Sequence, residues 1–238
     1  TLMAKSSIFV PMIVGDQTRG LINLDNFERE HAYGESDVRL LQTLANRFRQ
    51  HANGDTVRYT QAIINHGREA GASLSHPHGQ LLGLPFVPGE ILEEQRAFSR
   101  FEGGCILCAT IEAELVAGSR VVLENEHVVA VSPYWAGSPY ELLIIPRSHD
   151  LHLTDSDTAT LHSMGTAVRD SLRALRAFHG DVAYNLVFHT APHHYSGAYH
   201  WHVHLFPKLV TTAGFERGTG VMINIVPLFM FRASPCSP

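Results

Sequence analysis

Six short runs of β-branched and aromatic residues, each bounded by turn formers, crowd the second half of this 238-residue chain. They read RVVLEN, HVVAVSP, YELLIIPR, YNLVFHTAP, HWHVHLFPKL and VMINIVP. Such residues suit a pleated, half-buried ladder better than a helix. One long helical pattern interrupts them: Thr154 and Asp157 are spaced as a capping box, Leu161, Met164, Val168, Leu172 and Leu175 form one apolar stripe, and Gly180 ends it. Sequential strands with one packed helix predict an α+β domain built on an antiparallel sheet.

The first fifty residues have a different character. SIFVPMIV and LINLD flank GDQTRG, two apolar runs around a polar turn, which predicts a β-hairpin. ESDVRLLQTLANRF follows as a helix, with Ser36 as N-cap and Val38, Leu41, Leu44, Ala45 and Phe48 on one stripe. At the other end LFMFRASPCSP has neither period nor caps and is expected to be irregular.

Composition narrows the function classes. Hydrophobic residues at 45% and charged ones at 17% describe a chain that folds around a core. A net charge of −5 without a basic tract excludes electrostatic capture of nucleic acid or an anionic membrane. No apolar run reaches the length of a membrane span and no signal-peptide pattern opens the chain, so a cytoplasmic location is expected. Three cysteines are too few for a disulfide framework, and in a reducing compartment Cys105-x-x-Cys108 reads as metal or redox chemistry. Sixteen histidines, most of them between His66 and His204, point to chemistry rather than to a bland surface.

In GGCILCATI the two thiols stand on what reads as a tight turn, suited to two positions of a tetrahedral zinc site. A thioredoxin-like redox role is the other reading, but no βαβ pattern surrounds the motif. His149, in IIPRSHD, lies just past an expected strand and is a candidate third ligand. In HWHVH, strand alternation would place His200, His202 and His204 on one face. ASLSHPHGQLL repeats that spacing with His76, His78 and Gln80. H-x-H-x-Q against H-x-H-x-H suggests two copies of one structural half.

The stretch NHGREAGASLSHPHGQLLGLPFVPGE resembles the active-site segment of the galactose-1-phosphate uridylyltransferase family, within the histidine-triad superfamily. GGCILCATI, PYELLIIPRSHD, NLVFHTAP, HWHVHLFPKL and GFERGTG follow in the family's order, so the resemblance spans about residues 57–227. It implies two similar halves, each with a histidine-triad-like antiparallel sheet and a packed helix. Residues 51–104 would then end the first half, 105–227 form the second, and 228–238 make an irregular tail. Residues 1–50, through VGDQTRGLINLDNFEREHAYGESDVRLLQTLA, resemble the last strands and closing helix of a GAF domain.

By the resemblance, His78 corresponds to a nucleophile that takes a uridylyl group from UDP-glucose and passes it to galactose 1-phosphate in ping-pong fashion. A neutral imidazole suits that role because it attacks phosphorus near neutral pH and leaves it again readily. Gln80 corresponds to a hydrogen-bonding support of the phosphoryl group, Asn65 and Ser73 to phosphate contacts, and Glu216 to a sugar-hydroxyl acceptor. Cys105, Cys108, His149 and His200 correspond to a closed structural zinc site. Glu94, His189, His202 and His204 correspond to an alternative set, for iron or zinc, used by other members. Thiolates outcompete carboxylates for zinc, which favours the first set. His76 corresponds to a zinc ligand of the first half whose partners lie upstream in the family. No cysteine precedes Cys105 here, which leaves His76 an orphaned half-site and implies a transferase impaired by an incomplete first half. The implied partners are a UDP-sugar, a hexose 1-phosphate and a second copy of the chain. Two other readings compete: an ADP-sugar or dinucleoside phosphorylase or hydrolase with the same histidine chemistry, and a non-catalytic GAF-type sensor or dimerisation module.

Overall fold

The computed structural model describes residues 56–72 and 78–226, with His78 by its backbone alone, together with the backbone of two short strands nearer the N-terminus. Those strands, β1 (Ile13–Val14) and β2 (Gln17–Thr18), pair antiparallel with Ile13 opposite Thr18. A hairpin was expected here; the second strand of the described pair falls inside GDQTRG, and LINLD lies outside the described residues. The expected helix over ESDVRLLQTLANRF, Ser73, His76 and the tail 228–238 lie outside the described residues.

Seven strands make one antiparallel sheet: β3 (Tyr59–His66), β4 (His78–Leu84), β5 (Val121–Glu124), β6 (Val128–Val131), β7 (Leu142–Pro146), β8 (Tyr184–His189) and β9 (His202–Pro207). Their order is β4-β3-β8-β9-β7-β6-β5. The late hairpin β8–β9 thus inserts between the early hairpin β3–β4 and the β5–β6–β7 meander. Helices cover the sheet on both sides: α1 (Gly89–Arg100), α2 (Ile106–Ala117) and α3 (Thr158–His179), with the short α4 (Gly214–Thr219) following β9.

Alternation decides which face each side chain meets. On one face Ala62, Ile64, Leu81, Val128, Leu142, Ile144, Leu186, Phe188, Val203 and Leu205 pack with Leu161, Met164, Ala167 and Leu175 of α3. On the other, Tyr59, Val129, Val131, Leu143 and Ile145 pack with Ile91 and Phe98 of α1 and Leu107 and Ile111 of α2. β6 and β7 are therefore buried on both faces, and each fully buried Leu or Ile there contributes about 1.5–3 kcal/mol. β3 and β8 differ. Their burial alternates strictly from buried to half-buried between Gln61 and Asn65 and along all of β8; on the second face α1 reaches them at Tyr59 and His189, and the stretch between is only half-covered.

Several expectations change here. The long helix starts at Thr158, not at Thr154. Asp157 is its N-cap, its carboxylate accepting from the Thr160 amide at 2.7 Å, while Gly180 at φ 72° closes it as expected. The cysteines do not sit on a bare turn: Cys105 is the N-cap of α2 and Cys108 lies in its first turn. Residues 221–226 of VMINIVP form no strand; Asn224 instead donates to the carbonyls of Ala136 and Ser138. His200 lies ahead of β9, because the amide of Trp201 donates to Asp150 O rather than into the ladder. It therefore does not share a face with His202 and His204.

Candidate functional site

The register of the sheet lays the motif positions out in rows. Asn65 stands opposite His78 on β4 and opposite Asn185 on β8. One step along, Ile63 stands opposite Gln80 and Val187, and Val187 opposite His204 on β9. His189 in turn pairs with His202. The same offset that superposes His78 on His202, and Gln80 on His204, superposes Asn65 on His189. The two hairpins therefore present equivalent positions, with amide and imidazole groups at one end and an imidazole cluster at the other.

That cluster is completed by Glu94 of α1. Its Oε1 lies 2.7 Å from His189 Nδ1, 3.6 Å from His202 Nε2 and 4.0 Å from His204 Nε2, and the last two nitrogens are 3.1 Å apart. The other carboxylate oxygen, Oε2, accepts from the buried Tyr199 hydroxyl at 2.5 Å. Burial alone would raise the Glu94 carboxyl. The hydrogen bonds from His189 and His202 and the charge of those rings outweigh it and hold the group well below the usual carboxylate range. Burial presses His204 down to about 4, so its ring is neutral and available as a ligand. His202 is oriented by the His200 carbonyl, 2.8 Å from its Nδ1, which turns Nε2 into the cluster.

Behind it stands the second donor set. Cys105 Sγ lies 3.4 Å from His200 Nδ1, and Cys108 Sγ lies 3.4 Å from His149 Nδ1 and 3.6 Å from His200 Nδ1. Tetrahedral zinc with ordinary Zn–S and Zn–N bonds sets sulfur and nitrogen roughly 3.5 Å apart, so these three sulfur–nitrogen separations match such an ion. His200 Nε2 donates to the Pro146 carbonyl at 3.0 Å, which leaves Nδ1 for the metal. Burial, with Cys105 beside it, pushes the Cys108 thiol up to about 12, so a metal bound here must displace its proton. In each set the four donor atoms all lie within 4.8 Å of one another. The sequence treated the sets as alternatives; the structure brings both together, side by side, with His200 in one and its neighbour-but-one His202 in the other.

Not every sequence candidate joins these groups. Ser73 and His76 are outside the described residues, and His78 is placed by its register alone. Glu216 lies in α4, where its carboxylate accepts from the Ala213 amide at 3.0 Å, a helix-capping contact. Two residues that sequence reasoning missed are Tyr199, which holds Glu94, and Asn185, which donates to Asn65 Oδ1 at 2.6 Å. A signal existed for the second: extending the histidine repeat back to Asn65 would have drawn the eye to YNLVFH. Nothing in the sequence marked Tyr199.

Comparison with known proteins agrees with this geometry. Residues 90–217, more than half of the chain, match the model for the C-terminal domain of galactose-1-phosphate uridyl transferase. An ADP-glucose phosphorylase of Arabidopsis thaliana is 33% identical over 187 residues, 76% of this chain and 52% of that protein. A galactose-1-phosphate uridylyltransferase of Haemophilus influenzae is 33% identical over 171 residues, 67% of this chain and 48% of that protein. The crystal structure of an Arabidopsis thaliana ADP-glucose phosphorylase with bound ADP-glucose superposes with a TM-score of 0.72 at 30% identity, covering 80% of this chain and 63% of that one. The chain spans about half the length of the curated relatives it matches. The GAF resemblance of residues 1–50 finds no support in these matches. No helix among the described residues is long and apolar enough to cross a membrane. With its sheet, its paired hairpins and its family match in register, the chain belongs to the galactose-1-phosphate uridylyltransferase family.

Proposed function

We propose that the chain is a nucleotidyltransferase that moves a nucleoside monophosphate through a covalent intermediate on His78. The observation that carries the reading is the row in which Asn65 stands opposite His78, with Gln80 one alternation away, on the part of the sheet where the described Asn65 and Gln80 are only half-buried. A neutral His78 ring nitrogen attacks the α-phosphorus of a nucleoside diphosphate sugar. The N–P bond forms as the bond to the departing sugar 1-phosphate breaks, and that group carries the electron pair away. A second phosphate then attacks the same phosphorus and returns the imidazole to its neutral state. The Asn65 and Gln80 amides supply donors to the non-bridging oxygens as charge grows on them. Zinc is the proposed occupant of the Cys105, Cys108, His149 and His200 set, where it would tie the start of α2 to the strand ends. The Glu94, His189, His202 and His204 set would hold iron or zinc in the same structural way.

The substrates proposed first are UDP-glucose and galactose 1-phosphate, in a homodimer. ADP-glucose with inorganic phosphate is the second reading, favoured by the Arabidopsis relative and by the ADP-glucose-bound structure. Purified chain is incubated with UDP-glucose plus galactose 1-phosphate and, separately, with ADP-glucose plus phosphate, and the sugar phosphate released is measured. Turnover of one pair that disappears in His78→Ala supports the reading and chooses the nucleotide. Turnover that survives His78→Ala, or none with either pair, overturns it.

A further inference from the structure

Asn185 holds a place that the reaction outlined above does not use. Its Nδ2 makes two hydrogen bonds, to the Ala70 carbonyl at 2.8 Å and to Asn65 Oδ1 at 2.6 Å. A main-chain carbonyl accepts and cannot donate, so the atom facing Ala70 must be the Asn185 nitrogen. Its second hydrogen then demands an acceptor from Asn65. The orientation of the Asn65 amide follows: oxygen toward Asn185, nitrogen turned away. Among the described residues no protein group accepts from Asn65 Nδ2. Asn65 stands directly opposite His78, so its two remaining hydrogens are left for the anion that His78 would attack.

The loop that supplies the Ala70 carbonyl is itself held firmly. Gly67 and Gly71, at φ 81° and 78°, bracket the short turn Arg68–Ala70, and a Cβ at Gly67 would lie 2.5 Å from Ala183 Cβ. The turn is thus pressed against the residue just before β8, and Ala70 O and Asn185 keep their spacing.

We infer that Asn185 is a positioning residue that polarises the active-site row: by donating to Asn65 it makes Asn65 an obligate donor toward a phosphoryl oxygen. The inference rests on the nucleotidyltransferase reading of His78. It also sets a direction that simple packing would not. In Asn185→Ala, Asn65 is free to turn either way. In Asn185→Asp, the isosteric carboxylate can only accept, so Asn65 reverses and offers its carbonyl oxygen to the substrate anion. The closer mimic in shape is therefore the worse variant.

The test is the first-order rate of nucleotidylation of His78, followed by quenched-flow mass measurement in the full chain with UDP-glucose and with ADP-glucose. Asn185→Ala should slow it about tenfold and Asn185→Asp about a hundredfold, the range expected when a hydrogen bond to developing charge is lost or opposed. In an Asn65→Ala background both substitutions should change the rate less than twofold, because the residue through which Asn185 acts is gone. A second readout needs no variant: side-chain amide exchange by NMR should find the Asn185 protons protected without nucleotide and the Asn65 protons protected only once nucleotide binds. Labelling in the parent chain with an unchanged rate in Asn185→Ala, a loss that persists in the Asn65→Ala background, or Asn65 protons protected from the start refutes the inference alone. Absence of His78 labelling in the parent refutes the reading of the site, and this inference with it.

Discussion

Trp201 stands in sequence between His200 of one donor set and His202 of the other, and replacing it with Phe tests how they are held. Its side chain is fully buried, its indole Nε1 donates to Ser156 Oγ at 2.8 Å, and its amide donates to Asp150 O next to His149. Ser156 Oγ in turn donates to Asp150 Oδ2 at 2.7 Å. The phenyl ring cannot fill the outer part of the indole site, and the lost contacts and residual cavity cost roughly 1–2 kcal/mol. Depriving a buried hydroxyl of one partner adds about 1 kcal/mol. The sum, roughly 2–3 kcal/mol, should appear in urea unfolding of the metal-free chain as a lower midpoint at unchanged slope. The same substitution should weaken metal binding at both donor sets, since His200 and His202 flank the altered residue. A midpoint loss below about 0.5 kcal/mol, or weakening confined to one set, would show that Trp201 is not the shared support argued from these contacts.

Two further outcomes follow from the donor sets. Metal analysis should find two equivalents in the parent chain, with Cys105→Ser losing one and His202→Ala the other; loss of both in Cys105→Ser with the fold intact by circular dichroism would make them a single unit. In the metal-free chain, burial holds His200 and His204 near 4 against an ordinary 6.5. Between those values the unfolded chain binds the extra protons, so stability rises with pH and falls as pH drops from about 6.5 toward 4, by up to about 1.4 kcal/mol per unit for each histidine. A flat urea midpoint across that window would contradict the burial of both rings.

β5 to β9 and α3 were legible because their patterns are clean: β-branched runs between turn formers, and an apolar stripe ended by Gly180; β3 and β4 lie outside those runs and were read only as a motif-bearing segment. α1 and α2 were not legible. α1 buries only Ile91 and Phe98 besides the partly covered Glu94, too sparse a stripe to show a helical period. In α2 apolar residues occur all round, and the C-x-x-C spacing drew attention to a turn. VMINIV has the composition of a strand but no neighbour in the ladder, and composition alone cannot supply one. Which residues gather in each cluster was legible down to the residue. The family resemblance already put His200 with one set and His202 with the other; strand alternation alone put both on one face, and it failed because it assumes the strand begins before His200, an assumption that the bond from the Trp201 amide to Asp150 O ends. The Asn65–Asn185 pairing depends on which strands neighbour each other, which local sequence does not encode.

The most direct measurement of the central claim is a mass map of the chain after brief exposure to a nucleoside diphosphate sugar without acceptor. The account predicts one added nucleoside monophosphate, confined to the peptide carrying His78, stable to base, labile to acid and lost when the acceptor phosphate is supplied. An unmodified chain, or a label that stays in place after His78→Ala, contradicts it.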